Sequence, residues 1–152
     1  MNLSKYEYHA NEEYISFTFS SIGPRGTIKK VVIYEPMNTF INGIPIINLA
    51  FGDWNELLQK VDDSIVSNNN DRDKVLATVA STVLLYLERH GQRFIFAVGI
   101  TPVKTRLYQM GINAHRVEIE ALFIVKGLFN GEWFPFESGR NYDAFLILKK
   151  ES

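Results

Sequence analysis

Apolar and polar residues alternate along the first part of the chain in the manner of β-strands. Residues 14–20 place aromatic or aliphatic side chains between small polar ones, which is the period of a strand with one buried face. The turn-forming segment 21–26 leads into a β-branched run over residues 27–34, and this arrangement predicts a hairpin. A third strand is expected over residues 44–51, since Pro45 stands near its start, where a missing N–H is tolerated.

The strongest periodic signal predicts an amphipathic helix over residues 71–90, ending at Gly91. Asn69, Asn70 or Asp71 can cap its first N–H groups. Small residues between positions 77 and 82 would allow this helix to approach either a sheet or a second copy of itself closely. The apolar stripe that is expected to face the sheet consists of Leu76, Val79, Ala80, Val83 and Leu87.

The second half of the chain predicts alternating strands and one more helix. The continuous apolar run 94–98 is typical of a central strand. Thr101 and Pro102 then predict the start of a short helix with Gly111 as its C-cap. Two final strands are expected over residues 117–129 and 141–148, joined by an aromatic loop. The order β-β-β-α-β-α-β-β predicts a single α+β domain over residues 1–152, with a largely antiparallel sheet, one long helix and one short helix.

Composition narrows the functional classes without identifying an activity. The absence of cysteine from the 152 residues excludes a disulfide scaffold, thiolate metal sites and a cysteine nucleophile. A net charge of -1 gives no overall positive field for nucleic acid. No apolar stretch reaches the roughly 18–20 residues that a membrane-spanning helix needs, and the first residues lack the apolar run of a signal peptide. We therefore expect a cytoplasmic protein that does not enter the membrane.

Charge is segregated along the chain more strongly than the net value suggests. A basic segment contains five cations and no carboxylate: Arg89, Arg93, Lys104, Arg106 and Arg116. An acidic segment contains six carboxylates: Asp53, Glu56, Asp62, Asp63, Asp71 and Asp73. Either one pole of the molecule is basic, or the two segments face each other and neutralise.

The start of the second predicted helix is the best candidate for binding an anion. Unpaired N–H groups and the helix dipole favour negative charge at such a terminus. Gly99 allows close backbone approach, two threonine hydroxyls can donate hydrogen bonds, and two cations add charge. A plain helix cap with two solvated cations would have the same sequence. The candidate binding residues are Gly99, Thr101, Lys104, Thr105 and Arg106.

Signals for catalysis or metal binding are weak. The three histidines, His9, His90 and His115, are far apart in sequence, so no metal site is predicted. Glu118 and Glu120, together with a nearby lysine, would lie on one face of a predicted strand. Such carboxylates can hold Mg²⁺ in nucleases, although alternating charge on an exposed strand explains them equally well.

Three segments of the chain resemble an uncharacterised family of small bacterial domains of unknown function. They are residues 67–80, residues 99–108 and residues 136–145, and the similarity covers most of the chain. The resemblance implies that the two helix N-termini and the C-terminal aromatic segment are the features that the family stresses. It implies no activity and no particular cofactor.

The order of elements is also similar to that of the Gcn5-related N-acyltransferases. In that family a helix after a central strand holds the pyrophosphate of acyl-coenzyme A, and a later short helix carries Leu-Tyr, here Leu107 and Tyr108. The resemblance implies that Tyr108 would act as general acid. The chain departs from that family in lacking a glycine-rich loop before Val75 and in having Ile112 where an aromatic residue is usual.

Three functional hypotheses follow from these observations. The first is that the chain binds a small anionic ligand or partner at a helix N-terminus. The second is an acyltransferase-like enzyme that uses acyl-coenzyme A. The third is a self-associating or partner-binding module of a toxin–antitoxin or defence system, which uses the aromatic segment 133–136.

Overall fold

A mixed β-sheet carrying helices forms the architecture of the described part of the chain. The computed structural model describes residues 4–62 and 68–151, so Asp63 and Ser67 lie outside the described residues. The α+β class and the largely antiparallel sheet that the sequence predicts are confirmed. In chain order the elements are β1 (His9–Ala10), β2 (Ser16–Gly23), β3 (Gly26–Ile41), β4 (Ile44–Asn55), β5 (Lys60–Asp62), α1 (Arg72–His90), β6 (Phe94–Ala97), α2 (Pro102–Ala114), α3 (Arg116–Leu122), β7 (Phe123–Phe129), β8 (Glu132–Pro135) and β9 (Phe145–Lys149).

The strands follow the spatial order β1-β2-β3-β4-β6-β9-β7-β8, and β5 pairs with the far end of β4. All described neighbours are antiparallel except β4 and β6, which run parallel. A parallel pair needs a long crossover, and here α1 lies within that crossover. Helix α1 therefore follows a central strand and starts near the edge where β4 and β6 end.

Two Asn-Gly turns make hairpins that extend the sheet beyond the predicted strands. Asn42 and Gly43, with φ of 50° and 79°, join β3 to β4. Asn130 and Gly131, with φ of 51° and 78°, join β7 to β8. Both residues of a type I′ turn require positive φ, and the Asn-Gly pair adopts it readily. As a result β3 continues to Ile41, and part of the expected aromatic loop becomes β8.

The aromatic segment packs mostly within the protein. The ring of Trp133 meets Phe96 edge-on at 6.2 Å between centroids, and Phe134 meets Phe129 at 6.4 Å. Phe136 is buried against Tyr142, with a centroid separation of 5.4 Å. These contacts are those of rings that stabilise the edge of a sheet.

Two sequence predictions about the second half are wrong. Residues 117–122 form helix α3 instead of a strand, and the Arg116 guanidinium pairs with Glu120 one turn later, which favours a helix. Glu118 and Glu120 therefore do not share a strand face. Helix α2 also continues past Gly111 to Ala114, so Gly111 is not its C-cap. Gly111 is instead a contact point, because a Cβ there would lie 2.1 Å from a methyl carbon of Leu76.

Helix α1 lies close to the sheet through buried small residues, among them Thr78 and Thr82. The predicted apolar stripe is only partly correct, because Val83 and Leu87 are buried whereas Leu76, Val79 and Ala80 are partly exposed. The hydroxyl of Thr78 accepts a hydrogen bond from the Tyr6 amide at 2.8 Å, and the Thr82 and Tyr34 hydroxyls are 2.8 Å apart. Burial raises the pKa of Tyr34, and the hydrogen bond with Thr82 opposes that rise without cancelling it, so the phenol stays protonated. No helix in the described ranges combines the length and apolarity needed to cross a bilayer.

Candidate ligand-binding site

A large cavity opens beside the first turn of α1, and we call it the polar cavity. Its volume is about 860 Å³, which is within the range of small-molecule sites. Several parts of the chain meet around it: the first half of β3, the last part of β4, the continuous segment 68–76 that leads into α1, and the first half of α2. Its titratable lining residues include Lys30, Asp53, Asp71, Asp73, Lys104 and Tyr108.

One wall of the polar cavity is fixed by a buried asparagine. Asn69 is 2% exposed, and its amide donates hydrogen bonds of 3.0 Å to the Ser21 hydroxyl and to the Gly26 carbonyl. Its carbonyl oxygen accepts a 2.7 Å bond from the backbone N–H of Arg25. Gly23 is required beside it, because a Cβ there would lie 2.0 Å from the backbone carbonyl oxygen of Asn69. The segment before α1 is thereby anchored to the β2–β3 hairpin.

The carboxylate of Asp71, at the start of α1, is held by two side-chain hydroxyl groups. It accepts hydrogen bonds from the hydroxyls of Tyr6 at 2.6 Å and Ser21 at 2.5 Å. Burial and the neighbouring Asp71 carboxylate both raise the pKa of Tyr6, so this phenol remains a donor. Because Asp71 is the N-cap residue but makes no side-chain cap bond, it leaves the first-turn N–H groups of α1 uncapped by its carboxylate.

Cations and carboxylates meet in the polar cavity, where Lys104 is the one described cation of the basic segment among the lining residues and lies with Asp53, Asp71 and Asp73 of the acidic segment. Lys30 forms an ion pair with Asp53 across β3 and β4, and both side chains are largely buried. Lys104, from the basic segment, is only 8% exposed. Among the described lining residues, four cations stand against three carboxylates. The cavity is therefore charged on both sides, with a small excess of positive charge.

The predicted anion-binding residues separate into two groups. Gly99 closes the turn between β6 and α2: its N–H donates to the Thr105 hydroxyl at 2.9 Å, and a Cβ there would lie 2.4 Å from the Thr105 nitrogen. The Thr101 hydroxyl caps α2 by accepting from the Lys104 amide at 3.2 Å, which is the cap that the sequence predicts. In these contacts the Gly99 N–H and the hydroxyls of Thr101 and Thr105 form hydrogen bonds within the turn itself.

The side chains of Lys104 and Arg106, the two cations among the predicted anion-binding residues, make different contacts. Arg106 donates a 3.2 Å hydrogen bond to the Gln109 side chain, whose amide in turn donates to the Arg140 carbonyl at 2.5 Å. Lys104, by contrast, lines the polar cavity. Their two-residue spacing on a helix explains the divergence. Of the five residues that the sequence singled out, Lys104 is the one that the structure brings to the polar cavity.

A second, smaller cavity lies between the helices and the sheet, and we call it the apolar cavity. Its volume is about 100 Å³. Among the described residues that line it, only Tyr108 and His115 carry polar side-chain atoms. Phe51, Leu76 and Tyr108 line both cavities, so the two spaces adjoin at these three side chains.

His115 is a residue of the site that sequence reasoning missed. It is the C-cap residue of α2, seven positions after Tyr108, and its Nε2 atom is 3.1 Å from a carboxylate oxygen of Asp73, without hydrogen-bond alignment. The contact connects the first turn of α1 with the end of α2, and His115 also lines the apolar cavity. Helical spacing relates His115 to Tyr108, but the partner Asp73 lies on another helix and carries no signal in the sequence.

Within residues 4–62 and 68–151, no group of three or more histidine or acidic side chains is arranged to hold a metal ion.

Residues 2–150 match a family described as DUF6934, a family of unknown function. No curated protein and no solved structure gives a significant match.

Proposed function

This chain belongs to DUF6934, a family of unknown function, and we propose that it binds a phosphorylated small molecule of the acyl-coenzyme A class in the polar cavity. Two adjoining cavities of opposite character support this proposal. The polar cavity offers the first turn of α1 and buried Lys104 for phosphate groups. The apolar cavity begins at Phe51, Leu76 and Tyr108, where an apolar arm of the same ligand would arrive.

The carboxylates of the polar cavity do not oppose phosphate as strongly as their number suggests. Asp71 is turned toward the hydroxyls of Tyr6 and Ser21, and Asp53 is neutralised by Lys30. Asp73 lies against His115. Asp71 and Asp53 are thus engaged by partners of their own, and the dipole of α1 still favours an anion at its first turn.

Replacing Lys104 with methionine is expected to weaken the binding of coenzyme A roughly 10- to 100-fold, because a charged hydrogen bond to phosphate contributes about 1.5–3 kcal/mol. Isothermal titration of the purified protein with coenzyme A measures the dissociation constant directly. A ligand of the native state also raises the melting temperature as its concentration exceeds the dissociation constant, which gives a second readout.

Arg106→Met is the matched control for Lys104→Met. Both cations lie in the first two turns of α2, but Arg106 bonds to Gln109. Arg106→Met should therefore bind coenzyme A like the wild type. If Arg106→Met loses binding while Lys104→Met keeps it, the ligand binds beside Arg106 and not in the polar cavity. If the wild type does not bind coenzyme A, the proposal is wrong.

Acyl transfer is a second candidate function, and the position of Tyr108 favours it. The side chain lies where the two cavities adjoin, so a thioester bridging them would pass next to it. When an acceptor amine attacks the acyl carbon, the C–N bond forms and the C–S bond breaks; a phenol at that point can protonate the departing thiolate, and the proton lost by the amine nitrogen passes to solvent. This is the role that the resemblance to the N-acyltransferases implies for Tyr108.

Tyr108→Phe is expected to lower acyl transfer at least about tenfold while leaving coenzyme A binding unchanged, since a general acid contributes roughly 10²–10⁴-fold to rate. The assay follows the release of free thiol from acetyl-coenzyme A, with lysine or spermidine as acceptor. Equal rates for wild type and Tyr108→Phe would contradict the role of Tyr108.

A further inference from the structure

We infer that the apolar cavity holds a short aliphatic acyl group of about two to four carbons, carried by the ligand of the polar cavity. This inference rests on the proposed function and specifies its substrate. Protein interiors are close-packed, and an empty apolar space forfeits the dispersion contacts that its walls could make. An apolar group that enters the space restores those contacts.

The apolar cavity lies next to a point where α1 and α2 pack closely, and small side chains beside that point leave space. Helices α1 and α2 approach each other closely where Leu76 meets Gly111. The neighbouring positions on α1 and β6, Ala80 and Ala97, have small side chains and leave space between the helices and the sheet. The cavity is therefore bounded on the helix side by rigid contacts and on the other side by strands.

The volume of the cavity limits the length of its occupant. At about 100 Å³ it is smaller than the ~150 Å³ apolar cavity that accepts a benzene ring. A chain of about two to four carbons is consistent with this space, whereas a long fatty chain is not. Size alone therefore predicts selection for short acyl groups.

The chemistry of the walls excludes a free acid. A carboxylate in this space would lose its hydration and would face walls that are apolar apart from Tyr108 and His115. It would also approach Asp73, which contacts His115. A neutral acyl group attached through a thioester avoids both costs.

The direction of entry connects the occupant with the polar cavity. The two spaces share Phe51, Leu76 and Tyr108, so an acyl chain that enters between them remains joined to a carrier outside. The carrier would place its phosphates near Lys104 while the chain points between α1 and the sheet.

Wild-type protein is expected to bind butanoyl-coenzyme A about 15-fold more tightly than acetyl-coenzyme A, because each buried methylene contributes roughly fourfold to affinity. Octanoyl-coenzyme A should show no further gain. Ala80→Leu fills the cavity from α1 and should bind coenzyme A normally while losing the preference for butanoyl. Ala97→Val fills the cavity from β6 and provides the same test if Ala80→Leu does not fold.

A second probe separates this inference from the proposed function. S-butanoyl-N-acetylcysteamine carries the same thioester without phosphate, and its contact with the cavity is followed by the methyl NMR signals of Val79, Val83 and Ile112. Shifts in the wild type that are absent in Ala80→Leu support the acyl site, even if coenzyme A fails to bind. Unchanged methyl signals in the wild type, or equal shifts in wild type and filled variants, overturn it.

Discussion

Val83→Asp is expected to yield no folded protein. Val83 is 3% exposed and lies on the face of α1 that packs toward the sheet. An aspartate there would bury a charge without a partner, at a cost of roughly 4 kcal/mol or more. Since small proteins are stable by only about 5–15 kcal/mol, we expect loss of the cooperative thermal transition and of near-ultraviolet circular dichroism.

Val117→Asp is the control for this experiment. Val117 is also a valine within a helix, but it is 84% exposed. Its substitution should change the free energy of unfolding by no more than about 0.5 kcal/mol. A Val83→Asp protein that melts cooperatively near the wild-type temperature would contradict the packing of α1 described above.

Asn69→Ala is expected to destabilise the protein by roughly 3 kcal/mol. The truncated side chain can no longer bond to the backbone of Arg25 and Gly26, and a buried group left without its hydrogen bond costs about 1–3 kcal/mol. Ser21 also loses a donor. Urea denaturation followed by tryptophan fluorescence measures the change in the free energy of unfolding.

The adjacent residue Asn68 supplies the comparison. Asn68 is exposed, and its side chain accepts one 3.3 Å bond from the Asn70 amide. Asn68→Ala should therefore cost well under half as much as Asn69→Ala. Because Asn69 anchors the segment before α1, Asn69→Ala should also weaken coenzyme A binding more than Asn68→Ala does. Equal effects of the two substitutions on stability would show that the buried network is not what holds this segment.

Much of the fold could be predicted because local patterns determine it. The 3.6-residue period of α1, the Thr101–Pro102 start of α2 and the alternation in β2 all correspond to observed elements. The two Asn-Gly pairs are an equally clear hairpin signal. From them, the longer β3 and the strand β8 could also have been predicted. Residues 117–122 alternate charged and apolar side chains as a strand does, but they form part of a short helix. The Arg116–Glu120 pair has the four-residue spacing that favours this helix.

The candidate site was predictable only in part, because tertiary structure assembles it. Sequence reasoning placed importance on Lys104 and Tyr108, and both line the polar cavity. It could not show that Arg106 turns toward Gln109, nor that Asp73 meets His115 from another helix. Such contacts join residues far apart in the chain, and no spacing rule connects them.

The position of β9 determines when the sheet can be completed. β9 follows every other described strand in sequence, yet it pairs with β6 on one side and with β7 on the other. Until residues 145–149 are available, β6 and β7 would each present an unpaired edge. Such edges recruit strands from other molecules. A nascent or truncated chain that stops before Phe145 would therefore depend on chaperones or be prone to aggregation, although it contains nearly all of the ligand-binding residues.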